Sequence, residues 1–449
     1  MLRAACLRAL PVAFLLFAAN LSAQSLYQID DEPILYSTRP ASDRVATLKS
    51  AMESGSVKLE RDAHSGYLRS FLRHLGVPES SQMLVFSKTS FQLSKITPDT
   101  PRAVYFADDL YVGWVQNGDV LEITAMDPFL GAVFYALEQK EREKPRLLRL
   151  NAECLQCHAS TMTQGVPGPM VRSVYPSAEG QPILSAGTFV TTHSSPLKER
   201  WGGWYVSGTH GDEKHLGNRI AETEKERDPP FSEGLLNQKS LDALIYTKPY
   251  LTPHSDIVAL LVLEHQSYVH NLLTRAGYEA RIALRYQKDM AEMMKMPVGQ
   301  LLDSVDRRLD HAATLLLRGL LLIDEAKWHG PIQGTSDFAR EFQGRGTRDR
   351  KGRSLRDLDL ERRLFRFPLS YLIDSPQFAG LPDDFRQRVL EKLRRILTGE
   401  EREGEFADKI PDADKRVILE ILLDTRKDLP ASWRPQVTPA APVPRIESL

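Results

Sequence analysis

A five-residue segment near the middle of the 449-residue chain, Cys154-Leu155-Gln156-Cys157-His158, constrains the fold more than any other feature. Each of the two thiols can add across one vinyl group of a porphyrin, and the adjacent imidazole can reach the iron from one face. The spacing therefore predicts one covalent haem c, with Cys154 and Cys157 as thioether positions and His158 as the proximal axial ligand. We expect the fold to be built around this central site.

The N-terminal residues predict export. Arg3 and Arg8 flank the start of an apolar stretch, residues 10–21, and Ser22-Ala23 offers a small-residue cleavage site. Together these features are typical of a secretory signal peptide over residues 1–23 rather than of a spanning helix. The mature chain is then expected in the periplasm or otherwise outside the cytoplasm, and Cys6 is lost with the signal.

Two other kinds of site use a pair of cysteines three residues apart. A structural zinc site takes four ligands, and the mature chain has no third cysteine. A redox dithiol or a plain disulfide needs no histidine after the second cysteine, and no pattern of the thioredoxin type surrounds the pair. Zinc is therefore disfavoured, and a disulfide stays as the main alternative to haem.

Composition excludes some partners. The chain is 42% hydrophobic and 26% charged, and its net charge of −1 becomes −3 when Arg3 and Arg8 leave with the signal. This charge gives no general attraction to nucleic acid. The most apolar later stretch, residues 312–323, is interrupted by Arg318 and is too short to cross a bilayer. We expect redox proteins as partners, no nucleic acid, and no transmembrane segment in the mature chain.

Residues 24–250 are predicted to form an α+β region that bears the haem. Periodicity predicts a helix over 67–75 and strands over 83–87, 103–106, 110–115 and 120–123, with Asn117-Gly118 as a tight hairpin turn. After the motif, strands are expected over 170–175 and 182–191. Arg200 to Val206 predicts an aromatic strand whose glycines let another backbone or a flat macrocycle approach.

Residues 251–429 are predicted to be helical. Ser255 is expected to cap a first long helix, and further helices are expected over 301–327, around 385–397 with an end at Gly399, and over 417–423. The stretch 344–356 is rich in arginine and glycine and predicts an exposed loop. Residues 430–449 predict a disordered proline-rich tail. The fold class is therefore α+β, a mixed sheet region followed by a mainly helical part.

The segment Cys154 to His158 resembles the c-type cytochromes, whose shared activity is one-electron transfer through a covalently bound haem. The segments 163–169 and 200–211 also look like large exported bacterial mono-haem proteins of unassigned reaction. In the small helical cytochromes c the motif lies near the start of the domain. Here it is central and followed by strand-like sequence. The fold is therefore not expected to be the small helical cytochrome c fold.

The sixth ligand of the iron is open to several side chains. Met170 is near in sequence, and the glycine-flanked His210 is slightly favoured because a loop can present its imidazole. An open or water-bound site is a further alternative, and a lone histidine on an apolar helix face, such as His265, is more often a core residue. The distal candidates are His210, His193, His265, His215 and Met170.

The predicted function is one-electron transfer between exported partners, with the chain as a mono-haem carrier. An open distal site gives a second hypothesis, a peroxidase-like haem enzyme. A haem-based sensor or interaction protein is a third, because the chain is much longer than electron transfer alone requires.

Overall fold

The computed structural model describes residues 27–221, 233–401 and 404–433, and within them the chain is α+β. A six-stranded antiparallel sheet occupies the N-terminal half, and helices dominate the C-terminal half. This confirms the predicted fold class and the departure from a small helical cytochrome. The predicted signal peptide, residues 1–23, lies outside the described residues, as do residues 434–449 of the predicted tail.

The large sheet is a simple meander, in which each strand pairs with the next along the chain. Short turns join the second strand to the third, the third to the fourth and the fourth to the fifth, whereas residues 86–101 separate the first two. The predicted hairpin at Asn117 is confirmed, with φ of 54° at that residue. A separate two-stranded ribbon follows the haem motif, so the two strands expected there form only in part. The strands are β1 Met83–Val85, β2 Arg102–Ala107, β3 Leu110–Trp114, β4 Val120–Asp127, β5 Gly131–Glu138, β6 Leu147–Leu150, β7 Arg172–Val174 and β8 Thr188–Val190.

Both faces of the large sheet are covered. Side chains alternate between faces along each strand, so Tyr105 and Tyr135 face one way and Tyr111 and Phe134 face the other. The first face packs against two N-terminal helices, α1 Arg44–Glu53 and α2 Leu68–His74. The second face packs against the helical half, so one continuous apolar core joins the sheet to the C-terminal helices.

The remaining helices are α3 Ala152–His158, α4 Ile257–Met294, α5 Asp303–Leu320, α6 Phe338–Gly344, α7 Pro376–Ala379, α8 Asp383–Thr398 and α9 Asp412–Thr425. Of residues 257–274 in α4, every side chain except Tyr268 is buried. The predicted cap Ser255 is wrong, because Asp256 accepts from the first backbone amides of α4. The predicted helix end at Gly399 is confirmed, with φ of 74° at that residue.

Two loop predictions are corrected. Residues 200–206 do not form a regular strand. A turn with positive φ at Trp201 and Gly203 leads into a single antiparallel bridge between Trp204 and Val85 of β1. The glycines do allow a close backbone approach, since a Cβ at Gly202 would lie 2.2 Å from the carbonyl oxygen of Val174. The stretch 344–356 is only partly exposed, because Arg356 is buried with its guanidinium 4.2 Å from the centre of the Tyr371 ring.

Residues 431–433 form a short turn of 3-10 helix that buries Trp433 at the start of the predicted tail. None of the helices in the described part of the chain combines the length and the apolar character needed to span a bilayer.

Candidate haem attachment site

The haem motif forms α3, which follows β6 directly at the edge of the large sheet. Cys154, Cys157 and His158 stand at positions i, i+3 and i+4, so all three share one side of the helix. Cys154 is half-buried, Cys157 is exposed, and both thiols are free. One helical turn therefore presents two thiols and an imidazole to the same region of space.

The imidazole of His158 is oriented through one of its two nitrogens. Nδ1 donates a hydrogen bond to the carbonyl oxygen of Gly168 at 2.9 Å, because a carbonyl can only accept. Nε2 then carries the lone pair, and it makes no hydrogen bond to any described residue. The ring centre lies 5.1 Å from that of Phe134 on β5. Burial lowers the pKa of His158, which favours the neutral form that can bind a metal.

The first cysteine of the pair, Cys154, does not have the electrostatics of a redox dithiol. Burial raises the pKa of the Cys154 thiol to about 12, and the nearby carboxylates of Glu153 and Glu122 act in the same direction. The attacking cysteine of a thioredoxin-type site has a lowered pKa, since the thiolate is the nucleophile. Cys154 is therefore poorly suited to dithiol exchange, which disfavours a redox dithiol as the alternative to haem.

An ion pair lies on the sheet beside the motif. Arg102 on β2 contacts Glu122 on β4 at 2.8 Å, and its aliphatic stem lies over Gly113 of the strand between them. Ser90 and Gln92 also donate to the Glu122 carboxylate. The two charges act on the pKa of His158 in opposite directions, Arg102 lowering it and Glu122 raising it.

Two of the distal candidates bind each other in the helical core. Nδ1 of His193 lies 3.0 Å from Nδ1 of His265, and Nε2 of His265 lies 2.7 Å from the hydroxyl of Ser370. The two imidazoles are 3% and 0% exposed. Burial lowers the pKa of His193 to about 3, so this pair is neutral. His265 is thus a hydrogen-bonded core residue in this structure.

The other two histidines form a second buried group. The rings of His210 and His215 lie 4.8 Å apart, and Nε2 of His210 accepts from the backbone amide of Asn237 at 3.2 Å. Within the described residues, neither a hydrogen bond nor a ring contact joins any of the four candidate histidines to His158. Met170 is half-buried and follows Gly168 by two residues. The structure therefore gathers the attachment residues but not the distal candidates.

Sequence reasoning missed a buried ion pair near these histidines. Arg200 and Glu264 are 1% and 0% exposed in their side chains and contact each other at 2.8 Å. Arg200 also donates to the carbonyl oxygens of Ser195 and His193. An acid inside the apolar start of α4 was the available signal, because a carboxylate buried there requires a partner.

Comparison with known proteins gives no family for this chain. No protein-family model, curated protein or solved structure matches the chain. Among the described residues, no three His, Cys, Asp or Glu side chains are grouped so as to hold a metal ion. The site is therefore characterised by its own residues alone, two free thiols and one oriented imidazole on a single turn of helix.

Proposed function

We propose that this chain is an exported protein that carries one covalent haem c and transfers single electrons. The observation that supports this most directly is the bond from Nδ1 of His158 to Gly168, which leaves Nε2 as the coordinating atom. Histidines that bind metals are commonly oriented in this way through their second nitrogen. The free thiols of Cys154 and Cys157 on the same side of α3 fit the two thioether positions.

The chain's residues have separate tasks in this proposal. Cys154 and Cys157 would tether the porphyrin, His158 would hold the iron, and the Gly168 carbonyl would keep the imidazole in one tautomer. A bound haem supplies a reversible one-electron couple. Because Cys157 is exposed, an attached porphyrin would have an edge near the protein surface, where a redox partner can approach. This position favours electron exchange between proteins over chemistry in a closed cavity.

A second candidate function, a ligand-binding haem enzyme or sensor, is favoured by the location of the histidines. All four candidates are buried and contact partners away from His158. Met170 starts on the proximal side, because Gly168 bonds the nitrogen of His158 that faces away from the coordinating Nε2. Two residues span at most about 7 Å, so Met170 cannot easily pass around a macrocycle to its far face. An open distal position follows from these two observations.

The proposed attachment is tested by exporting the full-length chain in cells that mature c-type cytochromes. The mature wild-type chain should gain the mass of one haem and keep its haem stain on a denaturing gel. Replacing Cys154 and Cys157 together with alanine should abolish the stain, because both thioether positions are lost. Gln156→Ala, which changes an exposed residue of the same helix, is the matched control and should stain fully.

A wild-type chain without covalent haem would refute the proposal, as would haem that survives denaturation of the double variant. Optical spectra of the loaded protein then separate the two functions. Six-coordinate, low-spin iron that ignores carbon monoxide favours electron transfer. Five-coordinate iron that binds carbon monoxide favours the enzyme or sensor.

A further inference from the structure

The segment Pro167-Gly168-Pro169, which contains the carbonyl that orients His158, is held by groups from three other elements. The carbonyl of Pro167 accepts from the backbone amide of Ala132 on β5 at 3.1 Å. The amide of Gly168 donates to the carbonyl of His158 at 2.8 Å. The carbonyl of Pro169 accepts from Nδ2 of Asn271 on α4 at 2.8 Å. The segment is therefore fixed by hydrogen bonds to the sheet, to α3 and to α4.

The two prolines limit the hydrogen bonds that can anchor the backbone of this segment. Pro167 and Pro169 have no backbone N–H, so only their carbonyls can anchor them. Asn271 is the side chain that anchors Pro169, and it is only 4% exposed. Its amide comes from a helix that is rigid and buried along this part of its length.

Asn271 also contacts Gly168 itself. Its Oδ1 has no hydrogen-bond partner among the described residues, although the atom is buried. A Cβ built on Gly168 would lie 1.9 Å from that oxygen, so only glycine fits beneath the amide. A buried amide with an unpaired oxygen is destabilising, and an apolar side chain of the same size would be the ordinary choice for this position. The amide therefore does more than fill space, because its Nδ2 anchors the Pro169 carbonyl.

We propose that Asn271 is a positioning residue for the axial histidine. By fixing Pro169 and contacting Gly168, it sets the place of the Gly168 carbonyl, and this carbonyl holds the Nδ1 proton of His158. A firm hydrogen bond at Nδ1 makes Nε2 more basic and so strengthens its bond to iron. The inference rests on the proposed haem function and extends it to a residue 113 positions after the ligand, on another element.

The test compares Asn271→Ala with Gln377→Leu in the full-length, haem-loaded protein. Gln377 is a matched control, because it is also an amide of 4% exposure with an unpaired buried oxygen. It donates to Thr274 and to the carbonyl of His270 on α4, and not to the segment of residues 167–169. Asn271→Ala should raise the midpoint potential, since a less basic imidazole stabilises ferric iron less. Gln377→Leu should leave the potential at the wild-type value.

A second variant and a second measurement keep the inference testable. Asn271→Leu keeps a side chain of similar size but has neither a donor nor a charge, so it should shift the potential in the same direction if Asn271→Ala does not fold. Equal potentials in the wild type and in every folded Asn271 variant would overturn the inference. If the wild-type chain carries no haem, the proposed function fails. Nitrogen-15 NMR of His158 in that same full-length chain then tests the positioning, which requires a lower Nδ1–H tautomer fraction in the Asn271 variants.

Discussion

Helices α3 and α4 have different roles in the proposed site. α3 has seven residues with no fully buried side chain, and it carries both thiols and the imidazole of His158. α4 has 38 residues, and its buried face includes Glu264, His270 and Asn271. The groups proposed to bind the haem therefore lie on a short, exposed element. The groups that hold them in place come from the core.

The two helices also differ in what stabilises them. A seven-residue helix is too short to be stable by itself, so α3 depends on β6 before it and on the bond to Gly168 after it. α4 packs on β5 and on α5, and its own length supplies most of its backbone hydrogen bonds. We therefore expect substitutions in α4 to change the free energy of unfolding and substitutions in α3 to change cofactor attachment.

The largest expected effect on the free energy of unfolding comes from removing Arg200, the buried cation next to α4. Arg200→Met leaves the Glu264 carboxylate buried without its partner, and breaking a buried pair in this way costs about 3–5 kcal/mol. Urea unfolding of the variant measures this loss. The double variant Arg200→Met/Glu264→Gln should recover part of it, because no uncompensated charge then remains.

The control for this prediction is an exposed ion pair on the same helix. Arg285 contacts Glu32 and Asp289, and its side chain is 47% exposed. Arg285→Met should cost no more than about 1 kcal/mol, since solvent screens surface pairs. Similar losses in Arg200→Met and Arg285→Met would mean that burial of the first pair has no energetic consequence.

A smaller effect is expected from the pH dependence of His270. Burial lowers its pKa to about 3 in the folded state, below its ordinary value. Nδ1 of His270 lies 2.8 Å from the hydroxyl of Tyr111, which accepts from Nε2 of Gln266 and can therefore donate its own proton to His270. The unfolded chain binds one more proton at this group between about pH 3 and pH 6.5. Its contribution to stability is therefore complete above about pH 6.5 and is lost at about 1.4 kcal/mol per unit as the pH falls toward 3.

His270→Asn should remove that slope, because the amide oxygen can still accept from Tyr111 but does not titrate. The measurement is the difference in unfolding free energy between wild type and variant at pH 7, 5.5 and 4.5. About two of these pH units lie below pH 6.5, where the slope applies. The comparison with the variant is needed because Glu325 also titrates in this range. Burial raises the pKa of Glu325 to about 7, so this group stabilises the fold as the pH falls, opposite to His270. His311→Gln, at an exposed position, is the control, and an equal change of slope there would contradict the prediction.

The sequence predicted those parts of the molecule that depend on neighbouring residues. The thiols and imidazole of α3 follow from five consecutive residues, and the helix ended by Gly399 follows from periodicity and a glycine. The partners of the buried histidines could not be predicted, because His265 meets His193 from 72 positions away and Ser370 from 105. The predicted strand at residues 200–206 was wrong because its glycines permit positive φ in a turn as readily as a bulge in a strand.

The smallest expected effect is that of Gln156→Ala on stability. Gln156 is exposed on α3 between the two cysteines, and no hydrogen bond from its side chain is present in the described structure. Alanine has the higher helix propensity, so the variant should unfold within about 0.5 kcal/mol of wild type, on the stabilising side. Urea unfolding of the haem-loaded protein measures the difference. A loss above about 1 kcal/mol would exceed what an exposed surface site normally contributes. It would mean that α3 itself stabilises the fold, and the division of work between α3 and α4 would then be wrong.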